Sequence, residues 1–299
     1  MIEQTLQGIT FLVSGTLGYL STRFNSAKNI FNVTNLLNSW IIIPLLFYLS
    51  LLEIGITITS LNIFLTLLTY ILITFPVLIF LTNKMQSDLR GSVIMASILM
   101  NSVNLPFSLL LVLKGSYSYA ALYAAGVATI RPFLAYLTYI LVHSIDKTKR
   151  NIINIPTLLP IISTICGGIS HYFIALPSII TNFIVVIGVS LVVYNFGMTL
   201  GMSGLFFKVV KTKQSIIVIT FRAIVSPLLT LALSRYAYIG NENEIIREIL
   251  LTSAMPPAIT DAALARIYSF NVKYTVAITT FLTPINGLEG VILYYLFQG

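Results

Sequence analysis

Hydrophobic residues run along this chain in long stretches, and the charged, Asn and Gly positions that interrupt them fall about one bilayer apart. A helix needs about 20 apolar residues to span the roughly 30 Å hydrocarbon core. Ten runs meet that length, at 5–22, 33–53, 58–82, 90–112, 117–142, 155–174, 177–201, 215–238, 245–268 and 273–297. The linkers between them are too short for a soluble domain, so the pattern predicts an all-α polytopic membrane protein. No cleavable signal peptide is expected, because Met1-Ile2-Glu3-Gln4 lacks a basic start. The closing Leu-Phe-Gln-Gly carries no functional weight.

Composition agrees with the pattern. Of 299 residues, 57% are hydrophobic and 9% charged, and mean hydropathy is +0.94; an ordinary soluble domain carries about 25% charged residues. A soluble enzyme is excluded, as is a disulfide scaffold, since Cys166 is the one cysteine. The net charge of +8 is mostly topology. Arg23, Lys28, Lys84, Arg90, Lys147, Lys149, Arg150, Lys208, Lys211, Lys213, Arg266 and Lys273 follow odd-numbered spans, whereas only Lys114, Arg235 and Arg247 follow even-numbered ones. Cytoplasmic loops retain basic residues, so both termini are expected outside the cell membrane and no nucleic-acid partner is implied. Tyr117, Tyr119, Tyr236, Tyr238, Tyr294 and Tyr295 fit an outer interfacial belt.

An offset of about 152 residues sets Gly15 on Gly167, Asn104-Leu105 on Pro256-Pro257 and Pro132 on Pro284. Five spans per half is an odd number, so residues 1–146 and 147–299 read as two inverted repeats, a plan common in secondary transporters. The fourth and fifth spans of each half carry the special features. Span 4 clusters Asn101, Ser102, Asn104 and Pro106 at its centre, and span 9 carries Met255, Pro256 and Pro257, with Thr260 and Asp261 a turn later. Proline has no N–H and clashes with the preceding turn; Pro106 frees the carbonyl of Ser102, and the proline pair frees those of Thr252 and Ser253. Simple proline kinks satisfied by Ser and Thr are one reading. The other is a midplane site, since broken backbone at membrane depth is tolerated only against protein or a water-filled cavity. Asn101 and Asn104 share a helical face, and half-helix N-termini beyond the prolines favour an anion.

Arg131, Arg222, Asp261 and Glu289 are the ionisable residues deep in the spans, each a functional candidate by its cost. Arg131, beside Pro132, is the first choice to meet a substrate carboxylate, with an ion pair to Glu289 as the alternative. Arg222 and Asp261 share a depth and are candidates for a structural pair. Asp261, with Thr260 and the freed carbonyls, is alternatively a proton or sodium site. His143, His171 and Cys166 form no metal, haem or nucleophile motif, so neither enzyme activity nor any cofactor or metal is expected. Gly167-Gly168 reads as a close-packing site.

The segments GTLGYLSTRF, LLNSWIIIPLLFYLSLL, ILMNSVNLPFSLLLVLKG and LLTSAMPPAITDAALARIY together resemble the auxin efflux carrier family, which includes prokaryotic organic-acid carriers and the plant PIN exporters. The resemblance covers nearly the whole chain and is sharpest at Asn-x-x-Asn-x-Pro and Ala-Met-Pro. It implies a NhaA-like or bile-acid-symporter-like fold: ten transmembrane helices in two inverted five-helix repeats, with broken helices 4 and 9 crossed. It further implies a scaffold of helices 1, 2, 6 and 7, a transport domain of helices 3–5 and 8–10, and elevator-type alternating access. Carried over, the substrate-binding positions are Asn101, Asn104 and Pro106, with Ser102 between them, and Met255, Pro256 and Pro257. Arg131 matches no motif of the family and extends the expected substrates from auxin-like monocarboxylates to dicarboxylates. The expected function is efflux of a small organic anion, potential-driven or secondary active, by a homodimer. A sodium- or proton-coupled symporter is the alternative, and a non-transporting receptor the reading from another class.

Overall fold

The computed structural model describes residues 2–143, 155–203, 212–240 and 242–297; among these there are helices and no strands. Lys147, Lys149, Arg150, Lys208 and Lys211 lie outside the described residues. In chain order the helices are α1 Ile2–Ser21, α2 Ala27–Ile54, α3 Ile58–Leu81, α4 Ser87–Ile98, α5 Pro106–Leu113 and α6 Ser118–His143. They continue as α7 Ile155–Ser170, α8 Ser178–Ser203, α9 Lys213–Tyr238, α10 Asn243–Ser253, α11 Thr260–Ile267 and α12 Val272–Leu296. Six of them, α2, α3, α6, α8, α9 and α12, are long and apolar enough to cross a membrane, so the chain is a multi-pass membrane protein. The apolar run at 90–112 is divided between α4 and α5, and that at 245–268 between α10 and α11.

Local chemistry sets these boundaries. Gly55 ends α2 in the left-handed region (φ 70°), where a side chain would also strike the His171 ring. Thr57 and Ser60 then open α3 by capping each other's backbone N–H. Within α2 and α9, π-helical turns at Asn38–Ile42 and Phe221–Val225 lie just ahead of Pro44 and Pro227. A widened turn absorbs the hydrogen bond that each proline cannot donate. Hydroxyls inside the helices bond back one turn, as Thr74 does to the Tyr70 carbonyl (2.7 Å) and Thr138 to that of Leu134 (2.7 Å).

Helices in lipid gain little from burying apolar surface, so close backbone approach does more of the work. A β-carbon on Gly18 would fall on the Tyr194 carbonyl and one on Gly197 on the Gly15 carbonyl, which locks α1 onto α8. Gly167 meets the Tyr48 carbonyl in the same way and locks α7 onto α2, as its packing role predicted. These four helices form a first group and α3–α6 with α9–α12 a second; polar ties reinforce the first, Thr34 to Asn195 (3.0 Å) and Tyr194 to Ser21 (2.8 Å). The second group is bound through Thr69 to Tyr238 (2.8 Å) and Ser92 to the Asn271 carbonyl (3.0 Å). Two hydrogen bonds join the groups at one end: Tyr117 donates to the Leu46 carbonyl (3.3 Å), and Ser118 donates to Glu53. Large apolar side chains such as Leu12, Phe80, Phe173 and Ile179 stay exposed and face lipid.

Candidate functional site

Two interrupted helices meet at the centre. Residues 99–105 separate α4 from α5, and residues 254–259 separate α10 from α11. Leu99 is extended (φ −89°, ψ 118°), so its peptide groups leave the helix and need partners elsewhere. Each interruption supplies the other. The Asn101 N–H donates to the Pro256 carbonyl (2.7 Å), the Ala258 N–H donates to the Leu99 carbonyl (3.4 Å), and Met100 pairs antiparallel with Pro257. The Asn101 side-chain oxygen accepts the Asn104 N–H (3.1 Å), which turns the chain into α5. Its Nδ2 is buried and meets no acceptor among the described residues.

Arg222, on α9, takes up carbonyls left over at the two interruptions, among them that of Ser253, which Pro257 frees. Its guanidinium is fully buried and donates to the carbonyls of Met255 (Nε, 3.1 Å), Ser253 and Ile98 (3.5 Å), and to the Ser226 hydroxyl (3.2 Å). The Thr252 carbonyl takes the Met255 N–H (3.2 Å). An arginine fork with five donors suits several carbonyls at once. The expected partner of Arg222, Asp261, is instead beside Arg131.

Arg131, on α6, reaches across both interruptions. One terminal nitrogen donates to the Met100 carbonyl (2.8 Å), the other to the Thr260 hydroxyl (2.8 Å), and Nε lies 3.4 Å from Asp261 Oδ1. That last contact is an ion pair without hydrogen-bond geometry; neither Asp261 oxygen accepts a hydrogen bond from a described residue. The Arg131 side chain is 14% exposed and that of Asp261 fully buried. Glu289, the expected alternative partner of Arg131, accepts from the Asn286 amide at 2.7 Å.

A cavity of about 270 Å³ opens at this junction. Its lining combines polar residues, Ser102, Asn101, Asn104, Arg131 and Thr260, with apolar ones, Ile43, Val103, Pro132, Pro160 and Leu264. Helices α5 and α11 begin beside it, so their positive ends add to the Arg131 charge. Of the sequence-read positions, Pro106, Met255, Pro256 and Pro257 are buried behind the cavity wall rather than in it, where they shape the backbone. Ser39 and Pro160, which the sequence reading passed over, also contribute to the wall. Ser39 is one polar residue in an apolar run, and nothing distinguishes Pro160 from the other prolines. A larger recess of about 340 Å³ lies elsewhere, near Glu53, Ser116 and His171; its wall carries a carboxylate and no lysine or arginine, so it disfavours an anion.

No protein-family model matches the chain, and no curated protein shows detectable similarity to it.

Proposed function

We propose that this protein is a carrier that moves a small organic monocarboxylate across the cell membrane. The observation that carries this reading is the cavity at the paired helix interruptions, whose mixed polar and apolar lining includes the Arg131 guanidinium. Arg131 and the Asn101 Nδ2 donate to the carboxylate, Asn104 and Ser102 orient it, and the apolar residues take a hydrocarbon or aryl body. Among the described residues Arg131 is the one charged residue lining the cavity, so a second carboxylate would go unmatched; this favours a monocarboxylate over a dicarboxylate.

In this reading the chain has ten transmembrane helices. The pairs α4/α5 and α10/α11 are the crossed helices 4 and 9 of two inverted repeats, residues 1–146 and 147–299. The packing of α1 on α8 and of α7 on α2 supports the repeat, because helices 1 and 6, and 2 and 7, exchange under it. The glycine-locked group is the scaffold, and helices 3–5 and 8–10 form the transport domain that moves as an elevator. Both termini face outside and two copies associate. The auxin efflux carrier resemblance agrees with each of these assignments.

Thermal-shift titration of the purified protein tests the site. Phenylacetate is expected to stabilise it and succinate to do so less. Asn104→Ala is expected to weaken phenylacetate about tenfold, the value of a hydrogen bond to a charged group. Unaltered affinity in that variant would put the site elsewhere. Binding without flux into liposomes would favour the receptor reading, and strict sodium dependence the sodium-coupled symporter.

A further inference from the structure

We infer that binding of the anion is coupled to uptake of one proton by Asp261, which gives up Arg131 to the incoming carboxylate; this rests on the carrier reading above. Asp261 is fully buried. From α6 it faces the Arg131 guanidinium at 3.4 Å. From the residues just ahead of α11 it faces the Ala258 N–H, and from α9 the more distant Arg222, whose donors are spent on carbonyls. Helix α12 carries Glu289, held by Asn286, and the charged groups of α4, Asp88 and Arg90, stand in its first turn. Arg131 is therefore the one cation in contact with Asp261 among the described residues.

The same guanidinium faces the cavity. A substrate carboxylate that accepts its N–H groups draws the positive charge away from Asp261. A buried carboxylate stripped of its partner is strongly disfavoured in its charged form, and it escapes that cost by taking a proton. The step balances simply: RCOO⁻ enters, one proton from water forms an O–H bond on Asp261, and no other bond changes. The occupied site has the same net charge as the empty one, so one anion and one proton cross together without net charge movement.

Sodium is a poorer fit for the same place. A sodium ion needs several oxygen ligands. The Ser253 and Met255 carbonyls are committed to Arg222, the Met100 carbonyl and Thr260 hydroxyl accept from Arg131, and the Thr252 hydroxyl donates to the Glu248 carbonyl (2.8 Å).

The experiment adds phenylacetate to purified protein in weakly buffered detergent solution containing a pH indicator dye, and measures affinity from pH 5 to 9 in sodium and in choline salts. About one proton taken up per anion bound is expected. The dissociation constant should rise up to about tenfold per pH unit on the alkaline side, with no difference between the salts. Asp261→Asn is expected to abolish both the uptake and the pH dependence. Wild-type binding with neither proton uptake nor pH dependence would overturn the coupling while leaving the carrier reading intact, as would a requirement for sodium. No binding of phenylacetate at any pH would overturn both.

Discussion

Arg222 is an arginine inside a membrane protein with no carboxylate in contact among the described residues, and its cost is met by oxygen atoms of the backbone. Pro257 leaves the Ser253 carbonyl without its helix partner, and the two interruptions free those of Met255 and Ile98, so the interruptions and the arginine are one device. Arg222→Met would strand the Ser253 and Met255 carbonyls and should cost about 3 kcal/mol or more, read as a large fall in thermal unfolding temperature in detergent. Arg222→Lys should recover only part, because an ammonium cannot serve three carbonyls from one plane. Arg131→Gln should also lower the unfolding temperature of the ligand-free protein, because it leaves the buried Asp261 without its cation, and in addition stabilisation by phenylacetate should be lost. The sequence singled out Arg131, Arg222, Asp261 and Glu289 but not their partners. Position along a helix gives depth, whereas partner choice depends on which faces meet, and Arg131 and Asp261 meet across α6 and α11.

At the scale of elements, glycines decide how near two helices come. Gly18→Val and Gly197→Val each place a side chain on a neighbouring carbonyl and should destabilise by about 1–3 kcal/mol through forced separation of α1 and α8. Gly8→Ala is the control: its β-carbon would sit 3.5 Å from Val112, an ordinary contact, and should change unfolding temperature little. The apolar runs gave most helix boundaries to within a few residues, as for α3 at 58–82 against Ile58–Leu81. The interruptions were legible from Pro106, Pro256 and Pro257 because proline acts locally. The π-helical turns at Asn38–Ile42 and Phe221–Val225 were not, since they depend on how a whole helix absorbs a missing donor.

For the whole molecule, orientation is open to direct measurement. In a Cys166→Ser background, a membrane-impermeant maleimide added to intact cells should label Glu242→Cys and leave Lys84→Cys unlabelled until the membrane is opened; the reverse pattern would invert the topology. Both positions are exposed, so access depends on the side alone. The pairing of Asn101 with Pro256 and of Ala258 with Leu99 bears on motion as well. Four half-helices joined by such a seam have fewer independent movements than four hinged rods: neither pair can bend at its own break without straining the two backbone hydrogen bonds that tie it to the other. The amides of Asn101 and Ala258 should therefore exchange with deuterium slowly, although they lie outside any helix. Faster exchange on adding anion would mean that the halves separate during transport; unchanged exchange would mean that the seam travels whole.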